Sequence, residues 1–445
     1  MTTTQEPAAP AMGQVPAWDR YFGLTARGSS LTTELLGGVS TFLALSYIVV
    51  VNPAILAEGG IPQQAAFFAT VVVAGLATLA MGLWARLPFA VAPGMEMNAL
   101  VAFSVIAVLG FSWQQALGLV FWSGVAMVVV TLLRLRQAVI DAIPAGMRVG
   151  LATAVGVFIG LIGLQISGIV TAEGGRVTGV GSLTSPAAIA CYLGLAVALV
   201  ADRLKLRVAV LASIAAASGY AAYAGLTQPA GGGDAGGWFD AMFAVDLGAI
   251  ADPKAWSVVL ILFALDFFGS VAKVLGLSAR TSIVADGEVP GMRQALLVDG
   301  TATTVGAVAG STSYVAYVES AVGIRAGART GIASAVTGLL LIACLVATPV
   351  LTYIPVQATT GALLFVAVKM LPTPTEVRTM PGLDVATLAA MAIVTVATSA
   401  IDQAMLVGFL LQLGACAARR VRPNLVMVVT TVLLALSVVL QYVAR

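Results

Sequence analysis

From residue 35 almost to the end of the chain, apolar stretches follow one another with only short polar breaks. The hydrocarbon core of a bilayer is crossed by about 20 apolar residues in a helix, which satisfies its own backbone hydrogen bonds. Only 9% of the residues are charged, and 60% are apolar, whereas ordinary soluble domains carry about 25% charged residues. The sequence therefore predicts an all-α, multi-pass membrane protein and excludes a soluble enzyme with a single anchor.

About fourteen segments are expected from the lengths of these stretches, and the count between residues 384 and 445 is left open. The segments predicted as full spans lie near residues 35–57, 64–84, 113–133, 147–168, 186–201, 206–225, 256–277, 328–352, 355–371 and 384–400. Shorter or Gly-interrupted segments lie near 96–109, 292–309 and 316–324, followed by 403–418 and 424–443.

Basic residues collect in the loops of one face. These are Arg20, Arg27, Arg86, Arg134, Arg136, Arg148, Arg203, Lys205, Arg207, Arg280, Arg293, Arg325, Arg329, Lys369, Arg378, Arg419, Arg420 and Arg422, against only Arg176 and Lys254 on the other. The positive-inside rule makes the first set cytoplasmic. Residues 1–33 lack the apolar core of a signal peptide and are predicted to be a cytoplasmic tail of a plasma (inner) membrane protein.

A Gly-rich loop at residues 226–255 divides the segments into two groups of seven, at 34–225 and 256–445. The loop is predicted to be external, and a solvated linker is favoured over a binding site despite its four aspartates. The first half starts inside and the second starts outside. This arrangement is that of an inverted repeat, a common plan among secondary transporters.

Each half contains one interrupted segment with a single glutamate. Residues 88–103 carry Glu96, which lies 61 residues after residue 35, and residues 306–323 carry Glu319, which lies 63 residues after residue 256. Broken helices at matching places in two halves are the best indication of a transporter's central site. The two glutamates are therefore the first candidates for binding a solute.

Other charges also fall within apolar segments, at Asp266, Lys273 and Asp402. Each buried charge costs about 2.5–3.5 kcal/mol at the centre of a span. Lys273 is seven residues from Asp266 on one helical face, which allows a purely structural pair, and pairing with Glu96 across the pocket is the alternative. Asp402 falls near an external turn, where a structural role is favoured.

Several classes of chemistry are excluded by composition. The chain has no histidine, so imidazole metal sites and serine–histidine triads are excluded and proton handling falls to carboxylates. Cys191, Cys344 and Cys416 lie far apart in apolar runs, where they fit small hydrophobic residues. The formal charge of +2 offers no basic surface to nucleic acid. No catalytic residue, metal or cofactor is expected.

Several motifs resemble the azaguanine-permease-like branch of the second nucleobase–cation symporter family, which includes purine, xanthine and uracil permeases. The resemblance runs over roughly residues 20–371 and is carried by STFLALSYIVVVNPAIL (40–56), APGMEMNA (92–99), SWQQALGLVFWSG (112–124), AIPAGMR (142–148), GVFIGLIGLQISGI (156–169), QALLVDGTATTVGAVAGSTSYVAYVESAVGIRAGARTG (294–331) and YIPVQATTGALL (353–364).

The resemblance implies a uracil-permease-like fold of fourteen spans in two inverted repeats. A core domain would comprise segments 1–4 and 8–11, a gate domain segments 5–7 and 12–14, and short strands would precede the third and tenth segments. It also implies that Glu319 binds the base and that Asp266 matches the family's first aspartate in segment eight. The chain departs from the family at Glu96, at Gly269, where a second carboxylate is usual, and at Lys273.

The resulting expectation is a proton-coupled importer of a purine or purine-like base (the hypoxanthine, guanine and adenine class), working by an elevator mechanism. Its expected partners are the base, protons and the bilayer, and pairing of two protomers is left open. The predicted binding residues are Glu319, Glu96, Asp266, Phe267, Phe268, Gly269, Met95, Asn98, Ser313, Tyr317 and Ser320; Glu319, Glu96 and Asp266 also handle protons, with Lys273 as charge partner.

Lys273 keeps a second hypothesis open. A fixed positive charge in the site can do the work of a co-transported cation, and it also attracts anionic solutes. That hypothesis is a uniporter or anion carrier on the same scaffold. A membrane enzyme is the weakest reading, since no nucleophile–base pair or metal cluster supports it.

Overall fold

The computed structural model describes residues 16–133, 145–173, 176–206, 209–226, 237–278, 289–347, 355–398 and 401–443. Some predicted features lie outside these residues: residues 1–15 of the tail, residues 227–236 of the 226–255 loop, and Arg134, Arg136, Arg207 and Arg280. The described part is almost entirely helical, with four short strands.

The helices are named in chain order. They are α1 (Ala17–Phe22), α2 (Leu31–Leu45), α3 (Ile48–Glu58), α4 (Gln63–Ala80), α5 (Met95–Ala99), α6 (Trp113–Leu132), α7 (Ala145–Ile166), α8 (Pro186–Arg203), α9 (Ala209–Tyr223), α10 (Pro253–Ser278), α11 (Met292–Ala309), α12 (Ser320–Arg325), α13 (Gly331–Ala343), α14 (Val356–Met370), α15 (Pro374–Thr379), α16 (Gly382–Thr398), α17 (Ile401–Ala418) and α18 (Leu425–Val443). Wider π-helical turns extend α4 over Met81–Ala85 and α5 over Leu100–Ile106, and 3-10 turns cover Leu247–Ala251 and Cys344–Ala347.

Each predicted apolar segment contains a helix in the described residues. Among these, the stretches long and apolar enough to cross a membrane are Leu31–Glu58, Gln63–Ala85, Trp113–Leu132, Pro186–Arg203 and Pro253–Val271, and six more apolar helices are shorter. Ends follow local chemistry: Ser112 and Gln115 form a capping box at the start of α6, and Ser185 caps α8, which begins with Pro186. The multi-pass helical fold is confirmed, and the count of fourteen segments stays a prediction.

The helices pack in two groups. In one, α13 packs on α2 and α4, while α6 packs on α10 and α11. In the other, α14 packs on α7, α8 and α9, and α16 packs on α7 and α17. Smaller contacts join the groups, including α10 with α18 and α5 with α7.

Small residues allow the closest helix contacts inside the first group. A Cβ placed on Gly82 would stand 2.3 Å from the Gly331 carbonyl oxygen, and one on Gly331 would stand 1.9 Å from the Gly82 carbonyl oxygen. Either methyl group would overlap the opposite backbone, so both positions require glycine. Such contacts let helices approach in lipid, where apolar side chains alone gain little by associating.

The strands form two antiparallel pairs. β1 (Val91–Pro93) pairs with β4 (Tyr314–Ala316), and Val91 lies opposite Ala316. The strands expected before the third and tenth segments are thus confirmed. The second pair, β2 (Val170–Glu173) with β3 (Arg176–Val180), was not predicted. Two glycines separate these strands in a run rich in valine and threonine, which is the sequence signal of a hairpin.

Candidate functional site

The pair of β1 and β4 stands at the centre of the first helix group, and all six of its residues are buried. The ladder continues beyond the strands, because Tyr317 N donates to Ala90 O at 2.8 Å and Gly94 N donates to Ser313 O at 2.9 Å. Extended backbone inside a membrane must be covered by protein. The ladder meets this requirement by joining two chain segments from opposite halves.

Side chains of two helices complete the outer edges of the ladder. On the β1 side, the Thr78 hydroxyl of α4 accepts from Val91 N at 2.9 Å and donates to Val91 O at 3.0 Å. On the β4 side, the Thr303 hydroxyl of α11 accepts from Tyr314 N at 2.9 Å. The two threonines therefore do equivalent work in the two halves.

Glu319 lies directly before α12, three residues after the end of β4. Its carboxylate Oε1 accepts a hydrogen bond of 2.7 Å from the Tyr47 hydroxyl, which comes from the turn between α2 and α3. Tyr47 is buried and Glu319 is half-buried. A carboxylate held by a buried phenol at the end of a broken helix is oriented before any solute arrives.

Ser320 and Tyr317, which flank this position, bond to the β1 segment. The Ser320 hydroxyl accepts from Ala90 N at 2.9 Å, and the Tyr317 hydroxyl donates to Pro93 O at 2.9 Å. Both side chains are buried. They fix the segment that carries Glu319 against β1, and their predicted contact with a solute stays a prediction.

Asp266 of α10 is buried behind β4. Its Oδ2 accepts from the Thr303 hydroxyl at 3.1 Å, and that hydroxyl lies 3.4 Å from Ser313 Oγ. The predicted residues Asp266 and Ser313 are therefore in one cluster with the start of β4, whereas Glu319 lies beyond its other end.

Asp299 of α11 is a further member of this cluster, and it was not among the residues predicted from the sequence. It is completely buried, and its Oδ2 accepts from Ala316 N at 3.1 Å. A signal existed, since Asp299 is a carboxylate in the middle of the apolar segment 292–309. Tyr47 was also missed as a partner of Glu319, because no local pattern connects residues 272 positions apart.

The β1 side of the site contributes Met95 and Asn98. Both are buried, and the Asn98 side-chain oxygen accepts from the Thr312 hydroxyl, just before β4. The structure thus brings both interrupted segments together, as the sequence predicted. The side chains of Glu96, Phe268 and Asp402 lie outside the described part of the structure.

The remaining predicted residues follow one another on α10. Phe267 is completely buried and stacks on Phe263 with ring centroids 5.5 Å apart. A Cβ added to Gly269 would meet no atom within 4 Å, so this helix position faces open space. Lys273 is half-buried and interacts electrostatically with Asp266 and Asp299.

These residues offer carboxylates, hydroxyls and an amide rather than a metal site. Among the residues that the structure describes, no group of three or more histidine, cysteine, aspartate or glutamate side chains is placed to hold a metal ion. A carboxylate and an amide suit a flat polar solute with N–H donors and ring acceptors.

Comparison with known proteins decides the family. A family model described as "Permease family" matches residues 32–399, most of the chain. The chain belongs to the nucleobase–cation symporter-2 family. It is therefore a membrane permease, and its family and relatives are transporters rather than enzymes.

Curated relatives of the permease match over most of their own length. The adenine permease AdeQ of Escherichia coli (strain K12) is 32% identical over 432 residues, which are 95% of this chain and 96% of that protein. The guanine/hypoxanthine permease PbuO of Bacillus subtilis (strain 168) is 33% identical over 339 residues, covering 74% of this chain and 78% of that protein.

Solved structures share the fold of the permease at low identity. The transmembrane domain of the cyanobacterial bicarbonate transporter BicA gives a TM-score of 0.64 at 16% identity, over 85% of this chain and 97% of that one. The murine anion transporter Slc26a9 in its inward-facing state gives 0.65 at 13% identity, over 93% and 74%. These likenesses concern the fold alone.

Proposed function

We propose that this permease carries a purine base and that Glu319 is its principal binding residue. The observation that carries the proposal is the Glu319 carboxylate, held by Tyr47 at 2.7 Å at the end of the central ladder. Purine rings present N–H donors, and a carboxylate accepts hydrogen bonds only. The names of the relatives support this substrate class, since they include adenine and guanine/hypoxanthine permeases.

The bond from Tyr47 makes Glu319 a directed acceptor. One oxygen is engaged by the phenol, which restricts the positions that the carboxylate can take before the base binds. Preorganised hydrogen-bonding groups bind more tightly because less side-chain entropy is lost on association. The open space beside Gly269 on α10, one turn after Asp266, is consistent with room for a ring next to that helix.

We further propose that import is coupled to protons and that Glu319, Glu96 and Asp266 are the groups that handle them. The chain has no histidine, so carboxylates must do this work. One proton moving inward at 100 mV supplies about 2.3 kcal/mol from the potential alone.

The two helix groups support an elevator mechanism as part of the proposal. The group of α2–α6 and α10–α13 would be the mobile core that carries the site, and the group of α7–α9, α14 and α16–α18 would be the gate. The contacts joining them are smaller than those within them. Interfaces of this kind favour sliding of one rigid group against another.

Uptake of labelled hypoxanthine, guanine and adenine into proteoliposomes tests the proposal. We expect uptake of at least one base, stimulated by an inward proton gradient. Glu319→Gln should abolish it, because an amide presents one acceptor and cannot exchange a proton. Glu58→Gln is the matched control, since Glu58 is exposed at the end of α3.

If the Glu319→Gln variant takes up the base at the wild-type rate, the binding site lies elsewhere. If uptake does not depend on the proton gradient, proton symport is excluded. A uniporter or anion carrier is the second candidate, favoured by the half-buried cation Lys273. A thermal-shift screen across purines, pyrimidines, urate and small carboxylates separates the two candidates.

A further inference from the structure

Three charged residues form a unit between α10 and α11. Asp266 and Lys273 lie two turns apart on one face of α10, and Asp299 lies on α11, which packs against it. Asp266 is 1% exposed and Asp299 is fully buried. Lys273 interacts electrostatically with both acids, and Asp299 also interacts with Asp266.

Both acids of this unit are attached to β4. Asp299 accepts the N–H of Ala316 directly at 3.1 Å. Asp266 is attached through Thr303, which donates to it at 3.1 Å and accepts the N–H of Tyr314 at 2.9 Å. The charge of the unit therefore acts on the strand that leads, three residues later, to Glu319.

Among the side chains that the structure describes, the hydrogen bonds of β1 involve no carboxylate of this kind. Thr78 bonds to β1 as Thr303 bonds to β4, but the residue four positions before Thr78 is Ala74, whereas the residue four positions before Thr303 is Asp299. The position that corresponds to Asp299 on α4 therefore carries no charge. A carboxylate is not needed to satisfy the outer edge of a strand, because Thr78 alone provides the hydrogen bonds to Val91 of β1.

The charge balance of the unit gives Lys273 a specific consequence. Two carboxylates and one ammonium leave one negative charge, which a single proton neutralises. Without the ammonium, the two buried carboxylates would need two protons, because an unbalanced charge in a dry site is costly.

We propose that Lys273 is a resident counter-ion that takes the place of one proton in the Asp266–Asp299 pair. The unit is then neutral with one bound proton, and β4 keeps its position over a wider range of pH. Lys273 is a positioning residue in this account, since it acts through the two acids. Only the transport part of its test rests on the proposed function.

The other elements packed against α10 add few ionisable groups. Arg293 is exposed at the start of α11, Glu96 lies on α5, and the Tyr314 hydroxyl of β4 donates to Ala69 O at 2.8 Å. The sequences of α6 and α18 contain no acidic or basic residue. Glu96→Gln is therefore included as a background in which the same comparison is repeated.

Thermal unfolding of the purified protein across pH tests the inference without any substrate. We expect the stability of Lys273→Met to fall about twice as steeply as that of the wild type when the pH rises above the range of free carboxyl groups, because its folded state holds two protons where the wild type holds one. Adding Asp299→Asn should return the profile to that of the wild type, because one carboxylate then needs one proton. The asparagine oxygen still accepts from Ala316 N–H, so the strand contact survives.

Two further variants separate charge from shape. Lys273→Arg keeps the charge and should keep the wild-type profile, and Lys254→Met makes the same chemical change at the other end of α10 and should leave the profile unchanged. The inference is overturned if Lys273→Met titrates like the wild type, if Lys273→Arg behaves like Lys273→Met, or if Asp299→Asn fails to restore the profile.

Exchange of labelled base across proteoliposomes, with equal pH on both sides, gives the transport readout. We expect the pH dependence of the exchange rate to rank the variants as the stability profiles do. Exchange by Lys273→Met should depend more steeply on pH than exchange by the wild type, because two protons are needed instead of one. A wild-type protein that exchanges no purine would contradict the proposed function, while the stability profiles would still decide the role of Lys273.

Discussion

At the scale of single residues, the candidate site contains carboxylates whose hydrogen-bond partners come from distant parts of the chain. Glu319 and Asp266 could be predicted, because a charge inside an apolar segment is costly and rarely incidental. Their partners could not, since Tyr47 and Thr303 are ordinary residues until the fold brings them within 2.7 and 3.1 Å of the acids. An acidic residue inside an apolar segment can be recognised in the sequence. Only the tertiary structure shows which side chain is hydrogen-bonded to it.

The Tyr47 hydroxyl offers a direct test at this scale. Tyr47→Phe removes one hydrogen bond to a carboxylate, which is worth about 1.5–3 kcal/mol. We expect base affinity to fall by roughly tenfold or more, with folding retained, as measured by concentration-dependent exchange in proteoliposomes. Tyr21→Phe is the control, because that hydroxyl donates to Leu83 O at an exposed position. Equal affinity in both variants would mean that Tyr47 does not orient Glu319.

At the scale of elements, helix positions followed from apolar length, but the contacts that join helices did not. Glu34 illustrates this. The sequence placed it at the boundary of the tail, whereas the structure buries it completely in α2. It accepts from Arg329 N at 2.8 Å, Thr330 N at 3.2 Å and Ser29 Oγ at 2.6 Å. One carboxylate thus accepts hydrogen bonds from the backbone N–H groups just before α13. The periodicity of apolar residues in the sequence does not predict this contact.

Replacing Glu34 should weaken this junction. In Glu34→Gln the amide nitrogen would face backbone N–H groups, leaving a buried donor unpaired at a cost of about 1–3 kcal/mol. We expect a lower midpoint of thermal unfolding in detergent than for the wild type and for Glu58→Gln, whose side chain is exposed. A midpoint equal to that of Glu58→Gln would contradict the structural role.

At the scale of the whole molecule, the order of segments followed from their apolar lengths, whereas their grouping into a core and a gate was an expectation that came from the family resemblance alone. The length of an apolar segment and the charge of the loop after it are set by the bilayer, which imposes the same requirements on every segment. Both can therefore be recognised in the sequence. Packing of α14 on α7, α8 and α9 depends instead on small residues such as Gly194 and Gly361, whose backbones touch across the contact. The division into two inverted seven-segment repeats, at 34–225 and 256–445, therefore stays a prediction, while the ladder shows a contact between the two halves.

Cysteine labelling tests the orientation of the whole chain. Val180, at the end of β3, is 74% exposed and belongs to a loop predicted outside, and Leu204, 66% exposed, belongs to a loop predicted inside. In a background with Cys191, Cys344 and Cys416 replaced, an impermeant maleimide should label Val180→Cys in intact cells. Leu204→Cys should react only after permeabilisation. The reverse pattern would invert the topology.

The ladder of β1 and β4 also has a consequence for biosynthesis. β1 lies before the 226–255 loop and β4 after it, so the ribosome releases the first strand long before its partner exists. In the meantime its peptide groups stand at membrane depth without a matching edge, a condition that lipid does not tolerate. The nascent first half must therefore be sheltered until residue 316 is inserted, and maturation of the permease waits for the same strand that brings Glu319 into place.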